Sequence, residues 1–115
     1  MELLTLATFF SGISFLFFGV SCQTSSYMER EFIRYGYARQ RPLVGYLQIL
    51  GGLGLILGYY FSPLLATAAA GGLALMMAYG FGVRMYIRDT LIQATPALFY
   101  AVLNAYLAVA YGSGL

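Results

Sequence analysis

The sequence predicts an all-α membrane protein: a four-transmembrane-helix bundle with a short interfacial amphipathic helix between spans 1 and 2. The first observation is composition, because the 115 residues are 61% hydrophobic and only 9% charged, whereas soluble domains carry about 25% charged residues. The second is the mean hydropathy of +0.78. The third is charge spacing, since six of the ten charged residues lie within residues 26–45 and three more within residues 84–89.

Four spans account for the uncharged runs that remain. These runs cover residues 3–28, 42–83 and 90–115, and a bilayer core of about 30 Å needs roughly 20 apolar residues in a helix. The outer runs hold one span each and the middle run holds two, which predicts a single transmembrane domain over residues 1–115. The predicted spans are residues 3–22, 42–60, 63–83 and 90–111.

The first run is expected to stay in the protein as a span. No basic residue precedes it and no A-x-A-like cleavage site follows it, and a secretory signal peptide normally has both.

A short amphipathic helix is predicted over residues 27–35. Ser26 and Glu29 have the S-x-x-E spacing of a capping box, in which two side chains satisfy free backbone donors at a helix start. Gly36 is a natural helix stop. Apolar residues recur at helical spacing between these signals, so we expect this helix to lie at the membrane interface. The residues on its apolar face are Met28, Phe32 and Tyr35.

Small residues indicate where helices approach one another closely. Such residues are enriched at helix contacts in membranes, where they let backbones come near. Span 1 has several of them, and spans 2 and 3 have glycines that fit either an internal seam or a homo-oligomer contact. The glycines predicted to pack helices are Gly51, Gly54, Gly58 and Gly71.

Arginine distribution predicts the topology. Four arginines lie in the first connection and two in the third, and none lies elsewhere. Because basic residues stay on the cytoplasmic side of short loops, residues 23–41 and 84–89 are predicted to be cytoplasmic and both termini outside. We expect the cell inner (plasma) membrane as the location and membrane lipids as partners.

Several function classes are disfavoured by the residues present. The chain has no histidine and a single cysteine, Cys22, so dithiol redox chemistry and most transition-metal sites are not expected. No catalytic constellation and no phosphate loop occurs, so we expect no catalysis by the chain alone and no metal. The arginines flank membrane spans, which makes nucleic acid an unexpected partner. No carboxylate lies at mid-depth of a span, which disfavours a proton-coupled exporter.

Two intramembrane amides and four arginines are the candidate ligand-binding residues. Gln48 and Asn104 fall within spans 2 and 4, where an amide forms either an interhelical hydrogen bond or part of a site. The arginines either set topology and contact lipid phosphates or line a basic cavity mouth for an anionic or quinone-like ligand. Five phenols are expected near the same side, although interfacial anchoring explains most of the tyrosines. Ser11 and Ser14 are expected to bond their own backbone. The arginines are Arg30, Arg34, Arg84 and Arg88, and the phenols are Tyr35, Tyr37, Tyr46, Tyr79 and Tyr86.

Two stretches resemble a known family. They are FLFFGVSCQTSSYMEREFIRYGYARQRPLVGYLQILGGLGLILG and SPLLATAAAGGLALMMAYGFGVRMYIRD, and they are similar to the DoxX-like membrane proteins over about residues 15–110. The resemblance implies four helices, a charged segment after span 1, and a span 2 pattern that begins at Gly45 and includes Gln48. Many members have an acidic residue at the place of Gln48 and a lysine at the place of residues 19–22.

Three functional hypotheses remain open: the resemblance implies the first two, and the third rests on a chain length similar to that of four-span exporters. Some members are described as membrane subunits associated with thiosulfate:quinone oxidoreductase, which predicts an accessory protein that binds a quinone- or lipid-like molecule beside a membrane oxidoreductase. Animal relatives assist the assembly of ligand-gated channels, which predicts a scaffolding protein without a small-molecule ligand. A small transporter is the third and weakest hypothesis.

Overall fold

A computed structural model describes residues 2–113 as five α-helices. They are α1 (Glu2–Thr24), α2 (Ser26–Tyr35), α3 (Arg41–Phe61), α4 (Pro63–Tyr86) and α5 (Leu91–Gly112), with one 3-10 turn at Ala38–Gln40. Four of these helices, all but α2, are long and apolar enough to cross a membrane. The predicted fold class is therefore confirmed, and each of these four helices begins and ends within three residues of a predicted span. The span boundaries themselves stay a prediction.

Local signals explain where the helices begin and end. Ser62 caps α4 by accepting a hydrogen bond from the Leu65 amide, and the adjacent proline opens the helix. The predicted cap of α2 was wrong by one residue, because α1 continues to Thr24 and Ser25 accepts the Met28 amide instead. Glu29 therefore does not complete a capping box, although α2 forms where it was expected. Its position at a membrane interface stays a prediction.

The four spans form two intimate helix pairs. Helix α1 packs along α3, and α4 packs along α5, while α3 joins the two pairs through α4. Helices α1 and α5 also contact each other and close the bundle, but their backbones come close at far fewer positions than those of the two pairs. The buried core between the pairs is small and apolar; it consists of Phe15, Leu55, Ala66, Ala70, Leu73, Leu107 and Tyr111.

Glycine pairs fix the register of α1 against α3. A Cβ on Gly52 would lie 2.6 Å from the carbonyl oxygen of Gly12, and a Cβ on Gly19 would lie 2.6 Å from that of Gly45. Each pair is reciprocal, because Gly12 and Gly45 meet the partner carbonyl at 3.2 and 3.0 Å. The two contacts are seven residues apart on both helices, so the backbones touch every second turn. This is the close-packing arrangement that small residues permit in membranes.

Three of the four glycines predicted to pack helices face α4. Gly51 lies against Leu73, Gly54 against Ala69, and Gly58 against the Ala66 backbone. Gly71 does not belong to this seam, because nothing lies within 4 Å of the place where its Cβ would be. The reason is rotational: Leu73 and Ala70 point inward from α4, which turns Gly71 away from α3.

Candidate functional site

An ion-pair cluster joins α2 to the connection between α4 and α5. The Arg34 guanidinium donates to Asp89 at 2.6 Å and to Glu31 at 2.7 Å. Arg84 reaches the same two acids, at 2.8 Å from Asp89 and 3.7 Å from Glu31. Only 6% of the Asp89 side chain is exposed. The cluster holds two positive and two negative charges, so its formal charge is zero.

Matching chain reversals place these charges. Helix α2 ends with the Tyr37 amide bonded to the Phe32 carbonyl, and α4 ends with the Asp89 amide bonded to the Arg84 carbonyl. Both are Schellman motifs, which need a residue in the left-handed conformation. Gly36 takes this role after α2 with φ 85°, and the second reversal folds Asp89 back onto Arg84.

The cluster shifts the acidity of its members. The hydrogen bond from Arg34 holds the pKa of both the Asp89 and Glu31 carboxyls below their ordinary values. The same bonds, to Asp89 first and then Glu31, raise the pKa of Arg34. Burial raises the pKa of Tyr35 to about 12, so its phenol stays protonated at neutral pH.

A tyrosine-lined groove lies beside the cluster, between the end of α2 and the last two turns of α4. Its volume is about 620 Å³, and its walls are Tyr35, Gly36, Tyr37, Tyr79, Gly82, Val83 and Tyr86. The two walls are linked by a hydrogen bond between the Tyr37 and Tyr79 hydroxyls, which raises the pKa of Tyr37. Arg84 and Arg34 sit 5.1 and 5.4 Å from the centre of the Tyr35 ring.

Sequence reasoning placed most of the wall tyrosines at this end of the bundle but did not identify the groove or its glycines. Four of the five phenols expected there line the groove, and Tyr46 does not. None of the six candidate ligand-binding residues lines it, because Arg34 and Arg84 lie behind Tyr35 and face the acids. The two wall glycines leave the space open. Gly36 was predicted only as a helix stop, and no role was predicted for Gly82.

The other two candidate arginines lie outside the cluster. Arg30 is exposed on α2, and Arg88 is exposed beyond the end of α4. Neither forms an ion pair with any side chain that the structure describes. Arg84 and Arg88 do not share a helical face, because α4 ends at Tyr86.

The two intramembrane amides are buried and bonded across helices. Asn104 accepts a hydrogen bond from Ser11 at 2.8 Å and donates to the Tyr100 carbonyl at 2.8 Å. Gln48 accepts from the Cys22 thiol across α1 and α3, at 3.7 Å between sulfur and oxygen. Both amides therefore form the interhelical hydrogen bonds that were considered for them, and neither lines the groove.

A row of hydroxyls lines the face of α1 that meets α5. Thr8 bonds to the Tyr111 hydroxyl at 2.7 Å, and Ser14 accepts from the Tyr100 hydroxyl at 3.1 Å. The expectation that Ser11 and Ser14 bond their own backbone is therefore wrong, because α5 presents polar partners at matching heights. We call this row the hydroxyl seam. It consists of three side-chain hydrogen bonds between α1 and α5: Thr8 with Tyr111, Ser11 with Asn104, and Ser14 with Tyr100.

A second, apolar groove of about 430 Å³ runs along the outer side of α3 and α4. Its floor is made of small residues, which leave a shallow channel between two rows of leucines. The lining residues are Leu47, Leu50, Gly51, Gly54, Leu65, Ala68, Ala69, Gly72, Leu73 and Met76.

Fold and charge placement together define a small multi-pass integral membrane protein whose six arginines lie at one end of the bundle. The chain belongs to the DoxX-like family, whose sequence profile it matches over residues 2–109. Searches of curated proteins and of solved structures each gave no match.

Proposed function

We propose that this protein binds a lipophilic ring compound of the quinone type in the tyrosine-lined groove and serves a membrane redox system as an accessory subunit. The observation that carries the proposal is the groove itself. Its 620 Å³ lie within the range of about 300–1,000 Å³ found for small-molecule sites. It lies at the end of the predicted spans, where a molecule dissolved in the bilayer has its polar head.

The wall chemistry suits a flat ring with oxygen substituents. Tyrosine rings stack on planar apolar groups, and their hydroxyls donate hydrogen bonds to carbonyl oxygens. The hydroxyls of Tyr37 and Tyr79 bond to each other, and either could turn to a ligand carbonyl. The groove opens sideways at Gly82 and Tyr86, both exposed, which gives a hydrophobic molecule a path from the lipid.

The accessory role follows from what the site lacks in the described residues. No group of three or more metal-ligating side chains occurs there, and the acids near the groove are occupied by arginines. The groove therefore supplies shape, stacking and hydrogen bonds, while electron transfer would need a partner protein. The redox setting itself comes from the resemblance to DoxX-like subunits and is part of the proposal, as is the cytoplasmic placement of the groove.

A filled-groove variant tests ligand binding. The protein is purified from its own membranes in mild detergent, and native mass spectrometry is run beside an organic extract. We expect a quinone or related lipophile at fixed stoichiometry, and quenching of tyrosine fluorescence on titration with decylubiquinone. The variant Gly82→Leu should lose both signals, because its side chain occupies the groove where nothing lies within 4 Å of a new Cβ.

Gly80→Leu is the matched control. It makes the same substitution two residues earlier on α4, also where a new Cβ meets open space, but it does not line the groove. It should bind decylubiquinone as the wild type does. Binding that survives in Gly82→Leu, or is lost equally in both variants, would contradict the proposal.

The scaffolding hypothesis has one observation of its own, the apolar groove on α3 and α4. Its small residues would let a helix of another membrane protein approach closely. Co-purification of a stable protein partner, with no extractable small molecule and no decylubiquinone binding, would favour this function over the first.

A further inference from the structure

Arg88 occupies a backbone position that normally belongs to glycine. Its φ is 65°, and it is the one non-glycine residue with positive φ among those the structure describes. An L-residue with a long side chain is uncommon in this conformation because its Cβ crowds the backbone. The equivalent position after α2 is Gly36, with φ 85°. One molecule thus contains the same reversal twice, once with the favoured residue and once without it.

The Arg88 side chain gains nothing inside the protein to offset this conformation. It is exposed, and the nearest acid in sequence, Asp89, is already bonded to Arg34 and Arg84. Within the described side chains it has no ion pair, hydrogen bond or ring contact. A residue that raises the energy of its own turn and contacts nothing internal points to a partner outside the chain.

Two other arginines at this end are also exposed and without an ion pair among the described residues. Arg30 lies on α2, and Arg39 lies in the 3-10 turn before α3. The remaining three arginines, in contrast, are paired with Glu31, Asp89 or Glu29. The six arginines therefore divide into a neutralised inner set and an outer set of three available cations.

We infer that Arg88, with Arg30 and Arg39, binds the phosphate groups of anionic phospholipids in the leaflet at this end of the bundle. Guanidinium groups match phosphate geometry and can bond two oxygens at once. Anionic lipid attracts each basic residue near its surface. The inner arginines are less suited to this purpose because nearby acids already offset their charge. This inference does not depend on what occupies the tyrosine-lined groove.

The inference predicts opposite effects of one substitution on stability and on lipid binding. Arg88→Gly removes both the strained side chain and the cation. We expect its unfolding midpoint in lipid-free detergent to rise by a few degrees. We expect its apparent affinity for phosphatidylglycerol, measured by native mass spectrometry against phosphatidylcholine, to fall about fivefold. Arg88→Lys should keep the lipid preference, and Arg88→Gln should lose it without the gain in stability.

Arg41→Gln separates a specific contact from a general charge effect. It removes one positive charge at the same end, but from an arginine that is paired with Glu29 and bonded to the Cys22 carbonyl. We expect it to change the phosphatidylglycerol preference less than Arg88→Gln does. Equal losses in the two variants would overturn the assignment of Arg88.

A soluble anion is the alternative source of the same chemistry. Inorganic phosphate added at millimolar concentration should leave bound phosphatidylglycerol in place if the lipid is the ligand. Displacement of the lipid by phosphate, or an unchanged lipid preference in Arg88→Gly, would overturn the inference.

Discussion

Helix α1 meets its two neighbours by different means. Towards α3 it presents glycines, and the two backbones touch at Gly12 with Gly52 and at Gly19 with Gly45. Towards α5 it stands further off, and side chains bridge the distance through the hydroxyl seam. Backbone contact at these glycines leaves no room for a larger side chain at those points, whereas polar side chains bridge the wider gap towards α5. One helix therefore packs mainly through backbone contact on one face, where a Cys22–Gln48 hydrogen bond accompanies the glycines, and through a row of side-chain hydrogen bonds on the other.

A substitution at the glycine contacts between α1 and α3 should lower the free energy of unfolding most. Gly52→Ala places a methyl group 2.6 Å from the Gly12 carbonyl oxygen and 3.2 Å from the Leu16 amide nitrogen. Backbone atoms cannot move aside singly, so α1 and α3 must separate, and we expect a loss of about 3 kcal/mol in unfolding free energy. Unfolding by sodium dodecyl sulfate, followed by far-ultraviolet circular dichroism, measures it.

Gly71→Ala is the matched control for that substitution. Its new methyl group meets open space, and alanine favours a helix over glycine, so the free energy of unfolding should not fall. Equal losses at the two positions would show that glycine content rather than contact geometry matters on these helices.

A substitution in the hydroxyl seam should lower the free energy of unfolding by less. Asn104→Leu removes the acceptor of Ser11 at 2.8 Å, and hydrogen bonds between transmembrane helices are worth about 0.6 kcal/mol on average and up to about 1.7. We expect a loss near 1 kcal/mol in the same assay. In a double-mutant cycle, Ser11→Ala should cost little once Asn104 is replaced. Fully additive losses would mean that the bond contributes nothing to this seam.

Acidification should spare both faces of α1 and act at the ion-pair cluster. The folded-state pKa values of Glu31 and Asp89 lie below their unfolded values. Their contribution to stability is therefore complete above the unfolded values, near 4, and is lost as the pH falls through the folded values. We expect the smallest change of the three, a fall in the unfolding midpoint confined to pH below about 4.

The variant Glu31→Gln with Asp89→Asn is the reference for this titration. Its unfolding midpoint should start lower and vary less over the same pH range. An unchanged acid response in that variant would assign the effect to other groups.

The sequence predicted where the helices begin and end better than it predicted which side chains bond to each other. Helix ends follow from hydropathy, from prolines such as Pro63, and from Gly36, all of which act locally. The partner of Ser11 depends on how α1 and α5 are rotated about their axes, and no local pattern records that rotation. The cap of α5 could have been found, because Thr90 and Gln93 form a capping box and have the T-x-x-Q spacing that marks one.

The candidate site likewise has features that the sequence predicted and features that it did not. Charge segregation predicted that the arginine-rich connections meet, and Arg34 and Arg84 do share acids. It did not predict that Arg88 stays outside the cluster, since that outcome depends on a left-handed residue where the sequence has no glycine. The groove also depends on absent side chains at Gly36 and Gly82, which hydropathy and charge do not reveal.

The pairing of α1 with α3 and of α4 with α5 has a consequence for biosynthesis. Each pair is a hairpin with its own arginine-bearing connection, residues 25–40 in one and 87–90 in the other together with Arg41 and Arg84 at their edges. Under the predicted topology each hairpin carries its own orientation signal, and we expect each to enter the bilayer as a unit. The joint between them, Ser62, is a single uncharged residue. We expect a chain opened at that joint to insert as two halves that find each other in the membrane.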